Sequence, residues 1–259
     1  MQQVKEQSLW EGFTVQAVAI SDVGKVRAVN EDSFWFDMSV PVFCVADGAG
    51  GYESGDVASQ LTLQAFDATF FPGDPDADVT MLAGASVEFN SDLMTSAIVQ
   101  ANSIVYQKSL TQKMASTIVS LCLHDGAAYL AHVGDSRIYL FRDGELSQLT
   151  ADHSFVMDLF ECGAITKEEM ATHPKRNVIT RAVGGTEEVD VATQVVPIQK
   201  NDIFMLCSDG LSGMTDDTAL EEALVSAGSD LELGAQKMLD LALAGGGRDN
   251  ITLIVVGIM

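Results

Sequence analysis

Four apolar runs in this chain meet an aspartate at a small residue or glycine. They are Val42-Phe43-Cys44-Val45-Ala46-Asp47-Gly48, Ala131-His132-Val133-Gly134-Asp135-Ser136-Arg137, Phe204-Met205-Leu206-Cys207-Ser208-Asp209-Gly210, and Gly246-Gly247-Arg248-Asp249-Asn250, which leads into the last run. Asn30-Glu31-Asp32 heads another. A carboxylate just beyond an apolar strand lies where a sheet edge meets solvent. Several brought together repel one another by kilocalories at low effective dielectric and stay ionised together only beside cations. Ligation by carboxylate oxygens, completed by water, suits Mg2+ or Mn2+ better than Zn2+. His124, His132, His153 and His173 agree, since they form no HxxH or HExxH pair. Two such ions a few ångströms apart suit transfer of a phosphoryl group to water, because they ionise the water and neutralise charge on the phosphate. Phosphate also favours a guanidinium fork. Arg27, shortly before Glu31 and Asp32, is the candidate; its plainer reading is a surface arginine paired with Glu31 or Asp32. A single Asp-Gly is most often a turn, and Asp143-Gly144 reads as one. Four acids that each adjoin a strongly apolar strand are harder to assign to turns.

The elements that must carry these acids follow from periodicity. Residues 13–20, 33–36 and 42–46 read as strands. A helix over 56–70 places Val57, Leu61, Ala65 and Phe66 on one side, and a second over 92–109 does the same with Leu93, Ala97, Ile98, Ala101, Ile104 and Val105. Between them, 72–90 is acidic and rich in turn formers and reads as a long surface loop. Strands follow at 116–124, 127–133, 137–141 and 146–149, the last two joined at Asp143-Gly144. Short helices are expected at 155–162 and after Thr166, where Thr166-Lys167-Glu168-Glu169 fits a capping box. Strands at 191–196 and 203–207 precede a helix capped by Thr218-Ala219-Leu220-Glu221 and ended by Gly228, then a helix over 231–244. The final run 251–258 is apolar enough to be a central strand. Strands, helices, strands, helices and a strand are not a β-α alternation. They predict an α+β fold with mostly antiparallel sheets, in a single domain over 1–259.

Composition narrows the function. The chain has 259 residues, 47% of them hydrophobic, which supports a full core. Against 14 Lys and Arg stand 37 Asp and Glu, a net charge of −23. Nucleic acid and anionic membrane surfaces would be repelled. Most of these acids are a solvated surface. Cys44, Cys122, Cys162 and Cys207 include no CxxC pair, and three lie in apolar runs, so reduced core residues are expected rather than a disulfide framework. The first twelve residues are polar, and no run approaches the ~18 apolar residues of a membrane helix. A cytoplasmic protein is the expectation.

Taken in order, Ser21-Asp22-Val23-Gly24-Lys25-Val26-Arg27-Ala28-Val29-Asn30-Glu31-Asp32, Val45-Ala46-Asp47-Gly48-Ala49-Gly50-Gly51, His132-Val133-Gly134-Asp135-Ser136-Arg137, Cys207-Ser208-Asp209-Gly210-Leu211 and Gly247-Arg248-Asp249-Asn250-Ile251-Thr252 resemble the motifs of the metal-dependent, type-2C (PPM) protein phosphatases, closest to the bacterial branch. A flap segment over 152–181 is similar to theirs, and the resemblance covers about residues 13–258. It implies a four-layer α-β-β-α sandwich with metals in a cleft at one end. It implies that Asp47, Asp209 and Asp249 bind metals with the Gly48 carbonyl, that Asp32 and Glu31 hold metal-bound water, and that Asp135 helps hold a third, weaker ion. Arg27 would bind the substrate phosphate, so that Arg27, Asp32 and Asp47 stand closest to the reaction. Asp152 and Arg137 fall at motif positions assigned to structure. The implied reaction is single-step attack of a metal-bridging hydroxide on phosphoserine or phosphothreonine, with Mn2+ or Mg2+ as cofactor. The implied partner is a phosphorylated protein in signalling, a Ser/Thr kinase or its targets, met by a monomer.

Three positions depart from the family pattern. Ala49 stands where many eukaryotic members carry a histidine proposed as general acid, so the leaving alkoxide must be protonated by water or another group. Ala115-Ser116-Thr117 replaces the usual glycine-threonine pair, and Gly213 stands where an acid often supports the third ion. A phosphatase-fold binding module without activity is the other reading, and it predicts loss of Asp47, Asp209 or Asp249, all of which are present. A hydrolase of phosphodiesters or small phosphates is a third.

Overall fold

Residues that alternate between two buried surfaces make strands that are apolar throughout, and this chain has several. The structure, a computed structural model, describes residues 1–50, 54–70 and 89–259. In chain order the strands are β1 (Gln2–Trp10), β2 (Phe13–Asp22), β3 (Asp32–Asp37), β4 (Val42–Ala49), β5 (Ala115–Ser116), β6 (Ile118–His124), β7 (Ala127–Val133), β8 (Arg137–Arg142), β9 (Glu145–Gln148), β10 (Ala192–Pro197), β11 (Ile203–Cys207) and β12 (Ile251–Ile258). The helices are α1 (Gly55–Phe70), α2 (Ser91–Ser109), α3 (Phe155–Glu161), α4 (Lys167–Thr172), α5 (Asp209–Ser212), α6 (Asp217–Ala227) and α7 (Leu231–Ala244).

Two antiparallel sheets result. One runs β1-β2-β12-β11-β8-β9, the other β10-β7-β6-β4-β3 with β5 paired to β4. Alternation along single strands builds three cores. In β11, Phe204 and Leu206 join Phe43, Val45 and Ile254 between the sheets. Ile203, Met205 and Cys207 of the same strand face the other way, onto α6 and α7 through Leu220, Leu224 and Met238. In β4, Val42, Cys44 and Ala46 pack on α1 and α2 through Phe66, Ile98 and Ala101. The layers are therefore α-β-β-α, as expected. β12 lies between β2 and β11 with all eight residues buried, which makes it central. Burying one such Ile or Leu is worth about 1.5–3 kcal/mol. Cys44, Cys122 and Cys207 are free and buried; Cys162 is free and exposed.

Four points differ from the sequence expectation. The polar N-terminus is strand β1, paired with β2 from Gln2 opposite Ser21 to Trp10 opposite Phe13. It is an edge strand whose residues are mostly exposed, so it shows no apolar alternation; its hairpin turn is Glu11-Gly12, both at positive φ (45° and 86°). The strand expected over 116–124 is split at Thr117, which is diverted to the acid site described below. Helix α6 is capped by Asp216, whose side chain accepts from Ala219 N, rather than by Thr218. A one-turn helix, α5, follows β11 and carries Asp209 as its first residue. The loop expected at 72–90 lies outside the described residues except for its last two, as does Gly51.

Candidate metal centre

The β3–β4 pairing sets Asp32 opposite Asp47 at the ends of their strands. Thr117 holds Asp47 from both sides. Its hydroxyl accepts from Asp47 N (3.0 Å) and its N–H donates to Asp47 O (2.8 Å). That exchange explains why β5 and β6 are separate. The hydroxyl of Thr117 also contacts Ser136 Oγ at 2.7 Å, tying β4 to the turn that carries Asp135. Ser208, immediately before Asp209, donates to Asp32 Oδ2 (2.7 Å) and accepts from Thr252 N (3.1 Å), which joins the ends of β3, β11 and β12. Asn250 fixes the remaining loop: its Oδ1 accepts from Glu31 N (2.8 Å), and its Nδ2 donates to Val23 O (3.0 Å) and Val29 O (2.9 Å).

Two glycines are required by close approach. A Cβ on Gly48 would lie 1.9 Å from the Gly55 carbonyl oxygen, and one on Gly210 would lie 1.8 Å from that of Asn250. Backbone has to pass backbone at both points for the strand ends to converge.

The acids press on one another. Burial raises the Asp47 carboxyl well above the carboxylate range, and the charges of Asp32, Asp209, Asp135 and Asp249 raise it further. Burial, with Asp209 and Asp249 nearby, pushes Asp32 up to about 7 despite its hydroxyl partners. Burial and the charges of Asp209 and Asp152 push Asp135 to about 7. Asp209 is raised by burial and Asp249, with a hydrogen bond to the Asp47 carboxyl acting in the other direction. Two carboxyl groups in hydrogen-bond contact need a shared proton or a cation between them. Arg27 supplies part of the neutralisation: its Nη2 donates to Asp249 Oδ2 at 2.7 Å, and its Nη1 lies 3.6 Å from Glu31. Its partners are therefore Asp249 and Glu31, not Asp32. Its side chain is half exposed.

Among the described residues, no three His, Cys, Asp or Glu side chains close around one point tightly enough to hold an ion between them. Mg2+ and Mn2+ do not require such a cage; one or two carboxylates with a carbonyl and water suffice. The donor set of Asp47, Asp209, Asp249, Asp32 and the Gly48 carbonyl is all oxygen. Its mutual repulsion and the Asp47–Asp209 contact make it a fit for hard divalent cations.

Around this centre, Arg137 grips Asp152 through Nε (2.8 Å) and Nη2 (2.7 Å), a pairing that the sequence did not single out although both positions were assigned to structure. The flap over 152–181 starts there. Its ends are pinned by Phe155 N to Val178 O (2.8 Å) and Thr180 N to His153 O (2.8 Å). His153 stacks on His132 at 4.6 Å between ring centroids and accepts from Gly134 N through Nδ1 (3.1 Å). Burial, with His132 and Arg181 adjacent, lowers His153 to about 4. A cavity of about 500 Å3 is lined both by the acids Asp135, Asp209 and Asp249 and by the flap residues Ser154, Met170 and Arg176. A more apolar cavity of about 420 Å3, beside Phe141, Ile203 and Leu231, is lined by none of the site acids. Thr117, Ser208 and Asn250 position the acids, although the sequence reading gave them no role; Ser and Asn directly beside a strand-end Asp were the available signal.

A sequence model of the family described as protein phosphatase 2C matches residues 25–237. The chain belongs to the protein phosphatase 2C family. The match takes in Arg27, Asp32, Asp47, Asp135 and Asp209, while Asp249 lies beyond its end. Among protein phosphatase 2C relatives, the chain is similar to a serine/threonine phosphatase of Listeria monocytogenes, at 36% identity over 91% of this chain and 93% of that protein. It is also 36% identical to the serine/threonine protein phosphatase PstP of Mycobacterium tuberculosis, over 95% of this chain but 46% of that protein, so it spans about half the mycobacterial relative's length. The catalytic domain of PstP in complex with two manganese ions superimposes with a TM-score of 0.79 at 33% identity, covering 95% of this chain and 98% of that one. No helix among the described residues is long and apolar enough to cross a membrane.

Proposed function

We propose that the chain is a metal-dependent serine/threonine protein phosphatase that hydrolyses phosphoserine and phosphothreonine in proteins. The observation that carries this reading is the convergence of Asp32, Asp47, Asp135, Asp209 and Asp249 from separate strand ends, close enough that their charges perturb one another, beside Arg27. Its family membership supports the same reading. Asp47, Asp209 and Asp249 hold two Mn2+ or Mg2+ ions with the Gly48 carbonyl, and Asp135 contributes to a third, weaker site beside Gly213. Divalent cations bound there acidify water and neutralise phosphate charge. Asp32 and Glu31 orient the water. Arg27 turns its fork to the phosphate oxygens, and Asp249 and Glu31 keep the guanidinium at the mouth of the site. Ala49 is exposed and offers no proton, so solvent protonates the leaving alkoxide. The domain over 1–259 works as a monomer in the cytoplasm, opposing a Ser/Thr kinase, and its charge keeps it from nucleic acid and membranes.

Hydrolysis of p-nitrophenyl phosphate and of bis(p-nitrophenyl) phosphate, each with Mn2+ and with EDTA, tests the reading. Turnover of the monoester that EDTA abolishes, with the diester at least ~100-fold slower, is expected. Equal turnover without metal, or preference for the diester, contradicts it.

A further inference from the structure

The chain has six arginines in a background of net charge −23. Arg27, Arg137, Arg142 and Arg181 each form an ion pair with an acid. Arg176 and Arg248 form none among the described residues, and both line the cavity between the flap and the acids. They come from two separate loops. Arg176 belongs to the flap turn, where its N–H donates to His173 O (3.1 Å) and Val178 N donates to Lys175 O (3.1 Å). Arg248 immediately precedes Asp249 in a loop held by Lys25 N to Gly247 O (2.7 Å) and Gly247 N to Ala242 O (3.0 Å). In a chain with more than twice as many acids as bases, a guanidinium finds a carboxylate easily. Two left without an ion pair, both exposed and both lining one polar cavity that Asp135, Asp209 and Asp249 also line, are placed for an anion brought by a ligand.

We propose that Arg176 and Arg248 form a second anion subsite, which selects phosphoprotein segments carrying a further negative charge beside the phosphorylated residue. The inference rests on the phosphatase reading above and names the substrate class of that site. The second charge is an Asp or Glu side chain, or a second phosphate on a neighbouring hydroxyl residue. Arg27 is bonded to Asp249 and does not line this cavity, which distinguishes its place from that of Arg176 and Arg248. The same pair of charges raises the encounter rate of acidic segments that the surface at large repels, and salt weakens that effect.

The test compares three phosphothreonine peptides of one length, whose flanking residues are neutral, acidic, or include a second phosphothreonine, with Mn2+ at low ionic strength. The quantity read is kcat/KM for each charged peptide divided by kcat/KM for the neutral one, in the wild type, Arg176→Ala, Arg248→Ala and the double Arg176→Glu/Arg248→Glu variant. The wild type should favour the charged peptides by about tenfold, chiefly through KM. Each alanine variant should reduce the ratio about threefold, and the double variant should bring it below one. General damage to the fold or the metal centre lowers all three rates together and leaves the ratio in place. The acidic and doubly phosphorylated arms separate the two sources of charge, and preference for either supports the subsite. A wild-type ratio near one, or a ratio unchanged in the double variant, overturns it. p-Nitrophenyl phosphate is run alongside. Turnover there without discrimination among peptides removes the subsite alone, whereas no metal-dependent turnover of any substrate removes the phosphatase reading and this inference with it.

Discussion

Asp47 concentrates the chemistry of the site in one side chain. Its carboxyl is raised by burial and by four neighbouring acids, so its charge costs the fold stability unless a cation is near. Asp47→Asn should therefore raise the melting temperature in EDTA by about 2–4 °C while lowering Mn2+-dependent turnover about 100-fold or more. Differential scanning calorimetry and a phosphate-release assay read the two effects. A melting temperature that falls in EDTA would mean that the carboxylates do not repel one another. At Arg137 geometry matters more than charge. Lysine keeps the charge but cannot make the paired hydrogen bonds to Asp152, so Arg137→Lys should destabilise by about 1–2 kcal/mol in urea unfolding. The acids were legible in the sequence because each adjoins an apolar run. Their supports were not: a hydroxyl such as Thr117 or Ser208 belongs to the site only when two strands bring it there, and nothing local in the chain records that meeting.

At the scale of elements, the strand ends converge only because two glycines let backbone pass backbone. Gly48→Ala and Gly210→Ala should each cost more than about 3 kcal/mol or prevent folding, since the new Cβ meets a carbonyl oxygen that has no room to move. Gly234 is the contrast. It lies inside α7, and its Cβ would meet nothing closer than Ala227 Cβ at 3.4 Å, so Gly234→Ala should stabilise by about 0.5–1 kcal/mol. Chemical denaturation of the three variants side by side checks the ordering. Strands buried on both faces, such as β11 and β12, were plain from their unbroken apolar runs, and α4 from its capping box, which is present. Strand β1 was hidden because an exposed edge strand needs no apolar face. The start of α6 was misplaced because Asp216 and Thr218 are both capping types two residues apart, and only the backbone chooses between them.

For the whole molecule, charge decides how stability follows pH. Asp32 and Asp135 have folded values near 7 against about 3.8 unfolded, and Asp47 and Asp209 are also raised. The folded state binds more protons between pH 4 and 7, so their contribution is full below pH 4 and is lost as pH rises to 7. His153 runs the opposite way. Lowered to about 4 from 6.5, it contributes fully above pH 6.5 and loses that contribution as pH falls toward 4. Burial lowers His132 as well; four carboxyls outweigh two imidazoles, so in EDTA the protein should lose stability from pH 5 to 8. With saturating Mn2+ the loss should be largely removed, and the gap in melting temperature between the two conditions should widen with pH. A gap that is constant or narrows from pH 5 to 8 would separate the metal from these acids. The four-layer architecture was legible from the order of elements, and the electrostatic character of the cleft from the acids; the meeting of Arg176 and Arg248 at one cavity was not, since they lie 72 positions apart in the chain.

The central claim is that the converging aspartates bind divalent cations that the protein uses to cleave phosphate monoesters from protein side chains. Release of inorganic phosphate from a phosphothreonine peptide, followed against Mn2+ concentration for the wild type and Asp209→Asn, tests it most directly. The account predicts saturable activation from a baseline near zero in the wild type, and at least a ~100-fold lower rate at every concentration in Asp209→Asn. Phosphate release that is independent of Mn2+, or equal in the two proteins, would contradict it.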